Sequence, residues 1–170
     1  MRDTREFQDF YQEHLKRVFR FVYFRCGQNR TVAEDLTSEI FLKIARAFDE
    51  YDAAISKTAW LMTIARNHLI NYWRDQKTTI SLDEESEDID EAADPDRLLL
   101  SHSLRAGERT EITRELSQLL LDLPAKDRSL VTLHYLDGYN YKEIAELKGL
   151  SETATKVAVH RALKRLRQSL

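Results

Sequence analysis

The sequence predicts an all-α protein made of two small helical domains joined by an acidic flexible linker. Apolar residues recur every three or four positions over long stretches, and no stretch of any length alternates apolar and polar residues as a strand would. The 170 residues include only four glycines and two prolines, and 42% are hydrophobic. This composition is typical of a folded helical chain, and the length allows one ordinary domain or two small ones.

Three amphipathic helices are predicted in the first domain. The first ends at about Arg25, before Gly27. The second spans residues 31–48, and the third runs from about residue 58 to residue 75. Each carries an apolar stripe with the spacing of a helix face that packs into a core. In the second helix the stripe consists of Leu36, Ile40, Ile44 and Phe48.

Polar groups cover the other faces of the second and third helices. In the second helix they include Asp35, Ser38, Glu39 and Lys43, which on spacing alone indicate an ordinary solvated face. In the third helix, amides and cations stand beside aromatic rings. This combination can stack unpaired bases and hold phosphates, or it can be a core edge with a polar rim. The residues of this second group are Arg66, Asn67, Asn71, Tyr72, Trp73 and Arg74.

The net charge of −3 conceals an uneven distribution. Nine of the 29 acidic residues lie between Asp83 and Asp96, and the rest of the chain holds 26 basic residues against 20 acidic ones. Because the acidic stretch has few large apolar residues, it cannot bury enough surface to fold alone. We therefore predict domains at residues 1–77 and 95–170, with a linker at residues 78–94.

The second domain begins with an N-cap signal, Asp94 followed by Pro95. A helical pattern then continues, weakened at Gly107, until Pro124 stops it, and another helix is expected from residue 127 to residue 137. The last thirty residues predict a helix-turn-helix. Asn140 and Glu143 form a capping-box pattern for a helix that opens at Tyr141, Gly149 ends it, and Ser151 caps the final helix.

The final helix, from Glu152 to about Arg167, has two distinct faces. Thr155, Val159, Ala162 and Leu166 share one stripe and should face the core. The opposite face mixes cations with hydrogen-bonding groups, which suits a DNA major groove. A basic helix end favoured by its own dipole is the alternative explanation for the last cations. The outward residues are Thr153, Lys156, Val157, His160, Lys164 and Arg167.

Enzymatic and membrane functions are disfavoured. The five histidines form no HxxxH or HExxH pair, and there is no glycine-rich phosphate loop. The single cysteine, Cys26, rules out an intramolecular disulfide and is expected to be a buried, inert thiol in a reducing cytoplasm. No apolar run approaches the roughly 20 residues of a membrane helix, and the N-terminus is charged. We expect neither a metal nor a cofactor.

Taken with their order and spacing, these motifs resemble the extracytoplasmic-function (ECF, group 4) sigma-70 factors, the promoter-recognition subunits of bacterial RNA polymerase. The resemblance covers nearly the whole chain, linker included. It rests on Asp35–Leu42, on Trp60–Leu61 with Ile64–Asn67, on Leu123–Pro124, on Gly138–Ala145 and on His160–Ala162.

The resemblance implies an alternative sigma factor whose partners are core RNA polymerase, promoter DNA and an anti-sigma factor. Residues 52–57 and the third helix would hold a flipped minus-ten base. By this resemblance, the polymerase-binding residues are Asp35, Ser38, Glu39 and Lys43. The minus-ten residues are Arg66, Asn67, Asn71, Trp73 and Arg74, and the minus-35 residues are Thr153, Lys156, Val157, His160, Arg161 and Lys164.

A two-domain helix-turn-helix regulator that binds duplex DNA without polymerase remains the alternative. Such a protein would need the C-terminal helix-turn-helix, but it would have no use for a base-capturing third helix. Tight sequence-specific binding in the absence of polymerase would distinguish it from a sigma factor.

Overall fold

The computed structural model describes residues 4–80, 94, 96, 97, 99–101 and 111–170. Within these ranges every regular element is helical, which confirms the all-α prediction. The predicted Pro95 and Gly107 features, and most of the predicted linker, lie outside the described residues. The elements are α1 (Thr4–Arg25), α2 (Arg30–Ala47), a 3-10 turn (Phe48–Glu50), α3 (Lys57–Ile80), α4 (Glu111–Asp122), α5 (Ala125–Val131), a π-helical turn (Thr132–Leu136), α6 (Tyr141–Lys148) and α7 (Glu152–Gln168).

The first domain is a bundle in which α2 packs against both α1 and α3. Helix α1 ends where Gly27 adopts a positive φ of 69°, as its position in the sequence predicts. Helix α2 begins one residue before the predicted start, because the Asn29 side chain accepts a hydrogen bond from the Val32 amide at 3.1 Å. The predicted stripe of Leu36, Ile40, Ile44 and Phe48 is buried.

Helix α3 is longer than the sequence predicts. Its first turn is capped by Ser56, whose Oγ accepts a hydrogen bond from the Ala59 amide at 3.3 Å. The helix then continues to Ile80, past the predicted end at Asp75 and past the predicted start of the linker at residue 78. No glycine or proline interrupts the chain there, and Gln76 and Lys77 are good helix formers.

In the second domain, the predicted helix over residues 127–137 is divided. Helix α5 starts two residues earlier, at Ala125, directly after Pro124. At residue 132 it widens into the π-helical turn, in which the Asp137 amide donates to the Thr132 carbonyl at 3.0 Å. This wide turn and the positive φ of Gly138 bring Asp137 into a fully buried position.

The predicted helix-turn-helix is confirmed in detail. The Glu143 amide donates to Asn140 Oδ1 and the Asn140 amide donates to Glu143 Oε2, both at 2.9 Å, which completes the capping box. Gly149 adopts the left-handed conformation with φ 64°, and Ser151 caps α7 through the Ala154 amide at 3.1 Å. The inward stripe of Thr155, Val159, Ala162 and Leu166 is buried.

The two domains lie against each other, with α3 in contact with α6. Asp94, the predicted N-cap, accepts a hydrogen bond from the Arg97 amide at 2.9 Å, and its other carboxylate oxygen pairs with Arg128. Leu99 and Leu100, which follow on the same segment, are fully buried. In the described ranges, no helix combines the length and apolar character needed to cross a membrane.

Candidate nucleic-acid interface

Helix α7 is anchored on one face and presents the other to solvent. It packs against α5 and α6, and the Thr155 hydroxyl donates to the Ser151 carbonyl at 2.9 Å. The free face therefore has a fixed orientation, as a base-reading helix requires. All the residues predicted to read the minus-35 element are exposed on it, namely Thr153, Lys156, Val157, His160, Arg161 and Lys164.

The cations of α7 divide into two groups. Arg165 turns toward α5 and forms an ion pair with Asp127, so its charge is neutralised within the second domain. Lys156, Arg161, Lys164 and Arg167 are exposed instead, on the same side of the helix as Val157, which is itself 44% exposed. Lysine and arginine can bind phosphates or guanine edges, and an exposed valine can contact a thymine methyl.

Three of the five predicted minus-ten residues form one exposed stripe on α3. Asn67, Asn71 and Arg74 are spaced by four and three residues, which places them one above another on a helix. All three are exposed, and Arg74 Nη1 donates to Asn71 Oδ1 at 3.4 Å. The stripe therefore offers two amides and one guanidinium, groups that can bind the edges of unpaired bases and adjacent phosphates.

The other two predicted minus-ten residues lie apart from this stripe. Trp73 is half-buried, with its ring edge-on to Tyr72 at 5.0 Å. Arg66 turns toward the second domain, where it contacts Asp96 at 2.5 Å and Asp137 at 3.0 Å. Burial lowers the pKa of Arg66, but these two carboxylates outweigh burial and raise the pKa above its ordinary value.

The loop that precedes α3 is held in one conformation. The Tyr51 hydroxyl donates to the Ile55 carbonyl, and Asp52 Oδ1 accepts from the Ala54 amide at 2.9 Å. The Tyr51 ring also packs on Trp60 with the ring centres 5.0 Å apart. Because the loop is tied at both ends, it presents the Ile55 side chain, which is 47% exposed, beside the start of α3.

The exposed face of α2 has a different character from the two cationic faces. Asp35, Ser38, Glu39 and Lys43 are all exposed, as the sequence predicts, and Leu42 lies among them with 58% of its surface exposed. A face that mixes both signs of charge around an exposed leucine is suited to a protein partner rather than to a phosphate backbone.

Two buried histidines predict that the protein is less stable in mild acid. Burial lowers the pKa of His14 below its ordinary value of 6.5. Burial and Lys43 also lower the pKa of His68, although Glu39, 2.9 Å from its Nε2, opposes them. At pH values between these lowered pKa values and 6.5, the two histidines bind more protons in the unfolded chain than in the folded chain. Stability therefore rises with pH through this window and is lost as the pH falls.

Thermal unfolding followed by circular dichroism at pH 7.5 and at pH 5.5 measures this effect. The midpoint should fall in acid, and the fall should be smaller in His68→Gln. His160→Gln changes an exposed histidine and is expected to behave like the unaltered protein. An acid-induced decrease that is equal in all three proteins would show that His68 is not responsible.

The buried charges Arg25 and Asp137 have no predicted role in the sequence. One signal was available in the pattern: Arg25 follows Val18, Phe21 and Val22 on the apolar stripe of α1, where a hydrophobic residue is expected. A charge at such a position requires a buried partner. The sequence contains no local signal for Asp137 as that partner, because it lies 112 residues away.

An exposed cationic helix-turn-helix in one domain and an amide-rich helix in the other define a two-domain DNA-binding transcription protein. Models of two sigma-70 regions match this chain: region 2 over residues 10–79 and region 4 over residues 113–166. The chain belongs to the ECF RNA polymerase sigma factors of the sigma-70 family.

Characterised relatives agree with this assignment. The chain is 34% identical to the ECF RNA polymerase sigma factor SigF of Caulobacter vibrioides, over 81% of this chain and 70% of the relative. It is 26% identical to SigX of Bacillus subtilis, over 96% of this chain and 83% of the relative. The regulator alternative fails, because these similarities extend over both domains rather than over the helix-turn-helix alone.

Two solved structures share the fold. One is CnrH in complex with the cytosolic domain of CnrY, at a TM-score of 0.57 and 21% identity, over 98% of this chain and 88% of that one. The other is the sigma factor RpoE in complex with the anti-sigma factor NepR from Bartonella quintana. Its TM-score is 0.52 and its sequence identity 21%, over 95% of this chain and 96% of that one.

Proposed function

We propose that this ECF sigma factor directs initiation through three separate surfaces. The exposed face of α2 binds core RNA polymerase, the α3 stripe captures an unpaired minus-ten base, and the exposed face of α7 reads the minus-35 duplex. The observation that carries the proposal is the exposure of three groups of side chains: amides and a guanidinium on α3, cations on α7, and both signs of charge on α2.

At the upstream element, α7 would enter the major groove. Lys156, Arg161 and Lys164 neutralise phosphates or bind guanine edges, while Val157 contacts a thymine methyl. The fixed packing of α7 on α5 supports this role, because a rigid helix keeps its side chains in register with successive base pairs.

At the downstream element, the first domain would stabilise melted DNA. Flipping a base out of the duplex costs a few kcal/mol, and contacts to the exposed base must offset that cost. Asn67 and Asn71 can bind the base edge that pairing normally hides, and Arg74 can hold the neighbouring phosphate. The tied loop exposes Ile55 at the N-terminal end of α3, about 15 Å along the helix axis from Asn67, where it can contact a neighbouring unpaired base.

The polymerase supplies the chemistry of RNA synthesis, and we assign no catalytic step to this chain. It would act in the cytoplasm, where the polymerase and the chromosome are found. An anti-sigma factor is a further proposed partner. The two structural neighbours were solved with the cytosolic domain of CnrY and with the anti-sigma factor NepR.

Initiation by a defined polymerase provides the decisive test. The purified chain is mixed with bacterial core RNA polymerase that lacks any sigma subunit, and transcript starts are mapped on fragmented genomic DNA of the source organism. Discrete new starts that share a pair of upstream elements are the expected result. If no complex with core forms and no starts appear, although the folded chain binds a duplex site alone, the proposal is wrong.

A further inference from the structure

One contact joins the proposed polymerase-binding face of α2 to the neighbouring helix α3. Glu39 lies on α2 with 58% of its side chain exposed, and His68 lies on α3 with 9% exposed. The Nε2 atom of His68 is 2.9 Å from a carboxylate oxygen of Glu39. An exposed acid of the α2 face is therefore held by a buried residue of another helix.

The proton of the neutral His68 ring belongs on the nitrogen that faces Glu39. The other ring nitrogen, Nδ1, is buried and has no hydrogen-bond partner among the described residues. A proton on Nδ1 would lack an acceptor, whereas a proton on Nε2 meets a carboxylate. Burial and the charge of Lys43 keep the pKa of His68 below its ordinary value, although Glu39 opposes them. At neutral pH the ring therefore holds Glu39 without being charged itself.

The His68 ring is well placed to fix the position of a flexible side chain. Helix α3 packs against α2, and the neighbours of His68 on α3, Ala65 and Leu69, are fully buried. The ring is short, rigid and enclosed by this packing. Glu39, in contrast, has a long side chain that loses conformational entropy when a partner orders it. A contact that already orders Glu39 in the folded chain reduces the entropy lost on binding.

Lys43 offers Glu39 an alternative partner. It lies one helical turn further along α2, and an acid that precedes a base by four residues favours an ion pair on a helix surface. Among the residues that the structure describes, Glu39 nevertheless lies within ion-pair distance of His68 and not of Lys43. Pairing with Lys43 would neutralise Glu39 within the helix. The neutral His68 ring instead leaves the negative charge of Glu39 for a partner.

The held carboxylate retains capacity for a second contact. His68 lies at one of the two oxygens of Glu39, and a carboxylate can accept several hydrogen bonds. Leu42, three residues further along α2, is 58% exposed and adds an apolar group on the same side of the helix. A fixed carboxylate beside an exposed leucine is suited to an arginine or lysine side chain of a protein partner.

We propose that His68 is a positioning residue for polymerase binding, which holds the Glu39 carboxylate in the conformation that receives a cationic side chain of core RNA polymerase. This inference rests on the proposed function, because it concerns the α2 face through which the chain would bind polymerase. It adds to that face a residue of α3 that acts through Glu39 rather than by contacting the polymerase.

Three substitutions separate this contact from the packing of His68. His68→Leu keeps a buried side chain but removes the donor to Glu39. His68→Gln retains a donor, because the glutamine amide nitrogen can take the place of the imidazole Nε2. His14→Leu is the matched control, since it makes the same change at another buried histidine, on α1. The charged neighbours of His14 include Glu13 and Arg17 and none of the α2 residues named above.

The affinity of each full-length variant for core polymerase that lacks sigma, measured by fluorescence anisotropy at neutral pH, tests the proposal. We expect His68→Leu to bind roughly fivefold more weakly, the size of effect expected when one long side chain must be ordered on binding. His68→Gln should recover most of the affinity, and His14→Leu should match the unaltered protein. If His68→Leu is folded by circular dichroism and binds as well as the unaltered protein, the positioning role is refuted.

A double-mutant cycle asks whether His68 acts through Glu39. Glu39→Gln removes the charge that His68 is proposed to position. Adding His68→Leu to Glu39→Gln should therefore cost little further affinity, because the two residues form one interacting pair. If the two losses multiply as independent effects do, His68 acts by another route and the inference is wrong.

Proton NMR of the free chain tests the contact without polymerase. Because Glu39 raises the pKa of His68 against the effect of burial, Glu39→Gln should lower that pKa further. An unchanged pKa would show that the two side chains are apart in solution, which overturns the inference while leaving the proposed function in place. Failure of the proposed function is distinguishable, because the unaltered chain itself would then fail to bind core polymerase, and the positioning role would fall with it.

Discussion

Replacing Lys156 and Arg161 together with alanine is expected to weaken binding of the polymerase holoenzyme to the minus-35 duplex by about a hundredfold. Both side chains extend from the exposed face of α7, away from the buried stripe. Losing two groove or phosphate contacts of roughly 1–2 kcal/mol each accounts for this effect. The helix itself should persist, since alanine is the best helix former.

Fluorescence anisotropy with labelled duplexes at several salt concentrations measures the loss. One duplex carries the mapped upstream element and a second carries the same bases in shuffled order. If a lost contact is to a phosphate, the salt slope should fall by about 1 for each contact. If it is to a base edge, the preference for the correct duplex over the shuffled one should decrease.

Arg165→Ala provides the matched control. It removes one positive charge from the same helix, against two in the double variant, and that guanidinium pairs with Asp127 of α5. We expect the control to retain most of its affinity for the correct duplex. An equal loss in the control would mean that general positive charge, rather than the exposed face of α7, determines binding.

The helix-turn-helix could be predicted from the sequence because its signals are local. The capping box at Asn140 and Glu143, the left-handed Gly149 and the cap at Ser151 each act within a few residues. The residue types favoured at these caps follow from the local backbone geometry, which does not depend on the rest of the fold. The same holds for the stripe on α2, whose period follows from helix geometry alone.

The position of Arg66 could not be predicted in the same way. Its local pattern places it beside Asn67 on a polar face, and both residues were predicted to bind the minus-ten element. The structure directs its side chain to Asp96 and Asp137, which lie 30 and 71 residues further along the chain. Such pairings depend on how two domains meet, and a single sequence gives no periodicity that encodes this.

Replacing Asn67 and Asn71 with alanine is expected to reduce promoter opening by roughly 30- to 150-fold while leaving the fold intact. Both amides are exposed, so their loss should change stability little. Each lost contact to a captured base weakens the open complex by about 1–1.5 kcal/mol. Abortive transcription from a mapped promoter, with core polymerase, measures the effect.

A template with a pre-melted minus-ten region separates base capture from melting. The energetic cost of unpairing is already met in this template, so the defect should shrink, although the lost base contacts remain. Gln76→Ala makes the same amide-to-methyl change on the opposite side of α3 and should initiate normally on both templates. If the Asn67 and Asn71 variant opens duplex promoters as well as the control does, the α3 stripe is not the minus-ten surface. The mixed-charge face of α2 and the exposed face of α7 would then have to account for initiation without the α3 stripe.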